Sequence, residues 1–323
     1  MNTAQTLLIP FEENANAMTQ NLSALAKNNY FSQNPNQNLR NICISRKNVV
    51  PLHTENHNFA GNSMDFYTEN WKEIDINVDS LWIIGPRAKG GKRENNYHGN
   101  FAPQIPNEMI QRYTKEDDVV LDMFMGSGTT LFECETLKRN YIGFDINEDI
   151  IQYVQNKMHG DCPITYAINN CDICNTDKIK KCILANLESM SKESVDLIIS
   201  HPPYLDIVKF TDKEEDLSQI SDLSKFVDVF IKSVANVWSS LKKKGTFVLV
   251  VGDAYKNSEV VPLGFHLMNA IQQNFKCLLK GIVIKDIVGN RGKIGSSGIH
   301  RYRALKFGYY IFKHEYIFVF TKK

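Results

Sequence analysis

The sequence predicts an open, doubly wound α/β sheet of seven mostly parallel strands, the last antiparallel, with a small N-terminal extension. Three observations predict it. From about residue 116, strand-like and helix-like segments alternate. Most strand-like segments are near-continuous apolar runs, as expected of strands covered on both faces. The last two are separated only by a polar loop, which lets the final strand turn back antiparallel.

The strands are expected at 118–124 (DVVLDMF), 141–146 (YIGFDI), 165–173 (TYAINNCDI), 195–200 (VDLIIS), 245–253 (GTFVLVVGD), 276–286 (KCLLKGIVIKD) and 315–321 (EYIFVFT). Helices are expected over TTLFECETLKR (129–139) and LSKFVDVFIKSVANVWSSLKK (223–243). The second of these carries apolar residues at three- and four-residue spacing. Residues 1–80 read as a helical and loop extension, a candidate recognition or dimerisation element, and 81–323 as the main domain. Within the extension, the Asn- and Gln-rich stretch YFSQNPNQNLRN reads as a linker. IGPRAKGGKREN (84–95) is a Gly-rich basic loop, either a phosphate contact or a simple connection.

Bulk properties narrow the function classes. A chain of 323 residues with 43% hydrophobic and 23% charged residues can bury a full core. Its longest apolar runs, such as FVLVV at 247–251, are too short to cross a bilayer. The first residues lack the basic start and apolar block of a secretory signal. A cytoplasmic protein without membrane contact is therefore expected. Seven scattered Cys, an odd number, point to free thiols. The one CxxC, Cys171–Cys174, brackets Asp172 and lacks a second pair, so no metal site is expected. The net charge of +1 hides an asymmetry: 0 over residues 1–100, −8 over 101–275 and +9 over 276–323. The basic tail is either a local patch for phosphates or a solvated loop.

Two turns carry the chemistry. In LDMFMGSGTT (121–130), Gly126 and Gly128 follow a buried strand and precede a helix starting near Thr129. Glycines there let backbone approach a ligand, and the helix start offers free N–H groups. The next strand ends in Asp145, about 20 residues on, where a carboxylate suits ribose hydroxyls. The turn lacks the third glycine of a pyrophosphate fingerprint and the Lys of a P-loop, which favours a nucleoside ligand without a pyrophosphate. Asp172, at the end of the third strand, either meets the amino group of such a ligand's base or caps the next turn. In SHPPY (200–204), two prolines stiffen the strand exit and leave carbonyls free to accept, with an aromatic directly after. Such a turn suits a planar group bearing –NH₂.

DMFMGSGTT, YIGFDIN and SHPPY together resemble the signature motifs of S-adenosylmethionine-dependent DNA methyltransferases acting on exocyclic amino groups, at adenine N6 or cytosine N4. HGNFAPQIPNEMIQRYTKEDD, before the first strand, resembles the helix that leads into that family's cofactor turn. The resemblance covers roughly residues 80–323 and implies a Rossmann-like methyltransferase domain. It implies S-adenosylmethionine as cofactor: Asp122, Gly126, Ser127, Gly128 and Thr129 around the methionine part, Asp145 on the ribose and Asp172 near the adenine. Phe124 either packs beside the cofactor or is a plain core residue. It implies that the target base is flipped out of double-stranded DNA, stacked on Tyr204, and hydrogen-bonded through its amine to the Pro202 carbonyl and position 201, with Pro203 stiffening the turn.

Three departures stand out. Met123 replaces the family's usual Pro, His201 replaces the usual Asp, Asn or Ser, and the cofactor turn precedes the catalytic turn, the reverse of many members. Because His201 occupies the position that normally separates the two target bases, the base stays open, with adenine N6 placed ahead of cytosine N4. DNA contact is expected from Arg291, Lys293, Arg301, Arg303 and Lys306, and from Lys89, Lys92 and Arg93 in the earlier loop. A homodimer and a cognate restriction endonuclease are candidate partners. Competing readings are an RNA or protein-glutamine methyltransferase, which use similar PPY turns, and a nucleic-acid-binding relative that has lost catalysis.

Overall fold

The computed structural model describes Lys72 and residues 74–93, 99–287 and 297–323. The expected helices of the first 60 residues, and Arg291 and Lys293, lie outside the described residues.

The chain forms strand β1 (Leu81–Trp82), helix α1 (Gln104–Tyr113), β2 (Val119–Asp122), α2 (Thr129–Leu137), β3 (Asn140–Asp145), α3 (Glu148–Lys157), β4 (Tyr166–Asn170), α4 (Thr176–Ser189) and β5 (Val195–Ser200). There follow α5 (Leu223–Trp238), β6 (Leu241–Val251), β7 (Ala254–Lys256), β8 (Glu259–Val261), α6 (Leu263–Asn274), β9 (Cys277–Asp286), α7 (Ser297–Phe307) and β10 (His314–Lys322). One sheet runs β1-β9-β10-β6-β5-β2-β3-β4, and β7 and β8 make a separate hairpin. Among the described residues only β10 of the main sheet is antiparallel, pairing with both β6 and β9. The order reverses between β2 and β5, which are adjacent and parallel. That reversal is where an open α/β sheet leaves a crevice at the carboxyl ends of its strands.

Alternation of side chains assigns the two faces. Val119, Leu121, Ile198, Phe247, Leu249 and Phe318 point to the face packed by α4, α5 and α6. Val120, Leu197, Ile199, Val248 and Ile317 point to the face packed by α1, α2 and α3. Every residue of β2 and β5 is buried, which is why these strands read as unbroken apolar runs. Helix α5 buries Phe226, Phe230, Val234 and Val237, a stripe at the helical repeat. Asn147, Asn175 and Asp222 cap α3, α4 and α5 through their side chains.

The sheet differs from expectation in three places. Among the described residues it has eight strands, not seven: Leu81 and Trp82 pair parallel with Ile284 and Lys285 of β9. A two-residue strand leaves too short a pattern to show as alternation. Helix α5 ends at Trp238 rather than 243, because Leu241 is drawn into the sheet opposite Val195 and buried there. The segment between the last two strands is not only a loop. Helix α7 fills part of it and stops at Gly308, whose φ of 71° suits a residue just past a helix end. No buried stripe announces α7, since Ile299, Tyr302 and Leu305 are exposed.

Candidate active site

The two singled-out turns meet in one cleft at the β2/β5 reversal. Phe124, Gly126, Thr129, Asp145 and Asp172 line it from the side of the Gly-rich turn, and His201, Pro202, Pro203 and Tyr204 from the other.

The Gly-rich turn is shaped by its backbone. Gly126 and Gly128 both take positive φ, 51° and 82°. A Cβ on Gly128 would stand 2.9 Å from Val154 Cγ1, so a side chain is excluded by both conformation and space. Helix α2 begins at Thr129, as expected, with no side chain capping its first turn. The Gly126 amide donates to Asp145 Oδ2 at 2.8 Å, and the Asn147 amide donates to Asp145 Oδ1 at 2.9 Å. Burial pushes the Asp145 carboxyl up to about 6, despite these hydrogen bonds. Each of its oxygens keeps a second lone pair for a ligand.

Asp122, Ser127 and Gly128 stand behind the lining rather than on it. Asp122 is fully buried and accepts from the Phe124 amide at 3.1 Å, with the Thr130 and Tyr141 hydroxyls beside its carboxylate. Burial pushes its carboxyl up to about 6; the neighbouring Thr130 hydroxyl and Phe124 amide act in the opposite direction. Ser127 donates to Asn100 Oδ1 at 2.5 Å. Asp172 lines the cleft and also accepts from the Cys174 amide at 2.8 Å, so its turn-capping role is present in the structure. Among the described residues no group of three or more His, Cys, Asp or Glu is placed to hold a metal ion.

The His-Pro-Pro-Tyr turn is braced by a contact between two of its own side chains. His201 Nε2 lies 3.0 Å from the Tyr204 hydroxyl. Burial lowers the His201 pKa below its ordinary 6.5, with Glu315 raising it and Lys285 lowering it further. The imidazole is therefore neutral near pH 7.

Sequence reasoning missed the segment that joins the two turns. Residues 99–101 cross between them: Gly99 sits against the Phe210 ring, Asn100 accepts from Ser127, and Phe101 packs on His201 at a ring-centroid distance of 4.9 Å. The clue lay in NFAP, directly before the lead-in helix. The 205–222 loop was also missed. Phe210, Asp216 and Leu217 wall the cleft, and Asp216 holds that loop by accepting from Thr211 and Ser218.

The basic residues divide. Lys92 is ion-paired with Glu135 at 2.7 Å, and Arg93 with the buried Glu133 at 2.5 Å. Lys89, Arg301, Arg303 and Lys306 are exposed.

A nucleoside-bearing ligand fits this donor set: paired carboxylates, a side-chain-free turn at a helix start, and apolar walls from Phe124, Ile146 and Ile173.

The family model described as DNA methylase matches residues 8–156 and 195–323. The Type II methyltransferase M.MjaII of Methanocaldococcus jannaschii is 43% identical over 51 residues, 16% of this chain and 10% of the relative. M.HpaI of Haemophilus parainfluenzae is 42% identical over 85 residues, 26% of this chain and 27% of the relative. The chain thus spans well under two thirds of either relative. Among solved structures, TehB from Haemophilus influenzae aligns with 13% identity and a TM-score of 0.40, covering 68% of this chain and 62% of that one. Among the described residues, no helix is long and apolar enough to cross a membrane.

Proposed function

The chain belongs to the DNA methylase family, and on that premise we propose that it methylates an exocyclic amino group of a DNA base, adenine N6 ahead of cytosine N4. The observation that carries this reading is the shared cleft: the Gly-rich turn with Asp145 and the His-Pro-Pro-Tyr turn line one space.

S-adenosylmethionine, when bound, supplies the methyl group. Asp145 and Asp172 would hold its nucleoside part, with Gly126 to Thr129 along the remainder. Pro202 and His201 act on the other reactant. The Pro202 carbonyl and a bare ring nitrogen of His201 accept from the target –NH₂, directing the nitrogen lone pair toward the methyl group. Tyr204 offers its ring face to the flipped base. Residues 81–323 form the catalytic domain, and residues 1–80 are a candidate recognition or dimerisation element. Exposed Arg301, Arg303 and Lys306 on α7, together with Lys89, suit phosphate contact. A cognate restriction endonuclease is the natural partner of such an activity.

The test offers purified protein labelled S-adenosylmethionine with methylation-free DNA, total RNA or a protein extract. Label entering DNA alone supports the reading. Label entering RNA or protein alone overturns it.

A further inference from the structure

A row of four side chains runs from the His-Pro-Pro-Tyr turn back into the sheet, from His201 and Tyr204 at the cleft to the buried Glu315 and Lys285. His201 Nε2 is 3.0 Å from the Tyr204 hydroxyl, that hydroxyl donates to Glu315 Oε2 at 3.3 Å, and Lys285 Nζ donates to Glu315 Oε1 at 2.8 Å. Lys285 and Glu315 are register partners on β9 and β10. Both side chains are about nine-tenths buried. A buried ion pair is expensive to desolvate, and an apolar pair of similar volume serves stability at least as well. Its place at the carboxyl edge of the sheet, against the catalytic turn, calls for another explanation.

Proton counting supplies it. The Lys285-paired carboxylate of Glu315 can only accept, so the single Tyr204 hydroxyl proton is committed to Glu315. Burial and the adjoining Glu315 raise the Tyr204 pKa well above its ordinary value, so the phenol keeps that proton. Toward His201 the Tyr204 oxygen then has only lone pairs to offer. His201 Nε2 must be the donor, and in a neutral ring Nδ1 is left bare. A bare nitrogen accepts from an amine, whereas the opposite tautomer would present an N–H to an N–H. Gly252 keeps the row in line, since a Cβ there would stand 2.9 Å from the Tyr204 ring.

We propose that Glu315 is a positioning residue for methyl transfer: through Tyr204 it fixes His201 as the Nε2–H tautomer, leaving Nδ1 as the acceptor for the target amine. This rests on the role given to His201 above, and the experiment separates the two. Side-chain ¹⁵N shifts of His201 are recorded on the protein without DNA at pH 7.5, with the signal assigned by its loss in His201→Gln. The Nε2–H tautomer is expected in the wild type. The double variant Lys285→Met/Glu315→Leu removes both charges and frees the Tyr204 proton to turn toward His201. It should populate the Nδ1–H form and lose at least about tenfold in kcat, with cofactor affinity unchanged. Glu315→Gln, which keeps the shape, should shift the same signal in the same direction and guards against a misfolded double variant. A wild-type ring protonated on Nδ1, or variants that keep both the Nε2–H signal and full turnover, overturn the proposal. Failure to methylate any polymer, with the tautomer as expected, removes the methyltransferase reading and leaves the hydrogen-bond assignment standing.

Discussion

The carboxylate of Asp145 accepts a hydrogen bond from the Gly126 amide at 2.8 Å, tying the end of β3 to the turn after β2. One side chain thus shapes the Gly-rich turn and faces the cleft. Asp145→Ala should weaken S-adenosylmethionine binding roughly 10- to 100-fold, the range for losing hydrogen bonds to a charged group. Titration calorimetry measures this, and unchanged affinity would remove Asp145 from the cofactor site.

The same carboxyl sets a pH dependence. It titrates at about 6, so its charged, fully accepting form is lost as pH falls through that value. Cofactor affinity should be flat from pH 8 to 7 and decline from 6.5 to 5 in the wild type. In Asp145→Asn the decline should be largely absent. An equal decline in both proteins would assign the effect to another group.

Asp122 yields a stability prediction with a defined sign. Its pKa is raised by burial to about 6 from an ordinary 3.8, so the folded state holds its proton more tightly than the unfolded chain. The resulting penalty is absent below about pH 4, grows between 4 and 6, and is complete above 6, at roughly 3 kcal/mol. Asp122→Asn should therefore be more stable than wild type at pH 8, by up to that amount, and nearly equal to it at pH 4. Urea unfolding at the two pH values checks this, and an advantage independent of pH would contradict it.

Gly128→Ala places a Cβ against Val154 at a φ of 82°. It should cost about 1–3 kcal/mol and weaken cofactor binding. Wild-type stability in the same unfolding assay would show that the turn tolerates a side chain.

For DNA, Arg301→Ala, Arg303→Ala and Lys306→Ala should each flatten the dependence of log affinity on log salt by about 0.9. Lys92→Ala should leave the slope unchanged, since that ammonium is held by Glu135. Fluorescence anisotropy across a salt series reads both. A slope that responds to Lys92 and not to the α7 residues would move the DNA surface to the other loop.

How far the sequence revealed this molecule depends on locality. Buried strands such as Val195–Ser200 declare themselves through uninterrupted apolar residues, and the Gly-rich turn through glycines that the backbone demands. The antiparallel return of β10 was also expected, although the connection read as a polar loop without a helix holds α7. Helix α7 was not, because its apolar residues face outward and leave no buried stripe. Nor were Phe101 and Asn100, whose contacts with His201 and Ser127 depend on where a loop crosses the cleft. Glu315 lies 111 residues from Tyr204 and reaches it only through the sheet order. Lys92 and Arg93 looked like free cations, yet each has an acidic partner on α2 about 40 residues on.

His201 lines the cleft across from the Gly-rich turn, and the proposed transfer makes it an acceptor for the target amine. His201→Ala should lower turnover by more than about tenfold, the scale of one lost acceptor at a reacting centre, while cofactor affinity survives. Equal turnover would leave His201 a packing residue beneath Phe101.

The most direct test incubates the protein with S-adenosylmethionine and methylation-free genomic DNA, then identifies the digested nucleosides by mass spectrometry. Methylation of an exocyclic amine, as N6-methyladenine first and N4-methylcytosine otherwise, is the predicted result and fixes the base accepted by the His201 turn. DNA returned without either nucleoside, by a protein that binds the cofactor, would contradict the account.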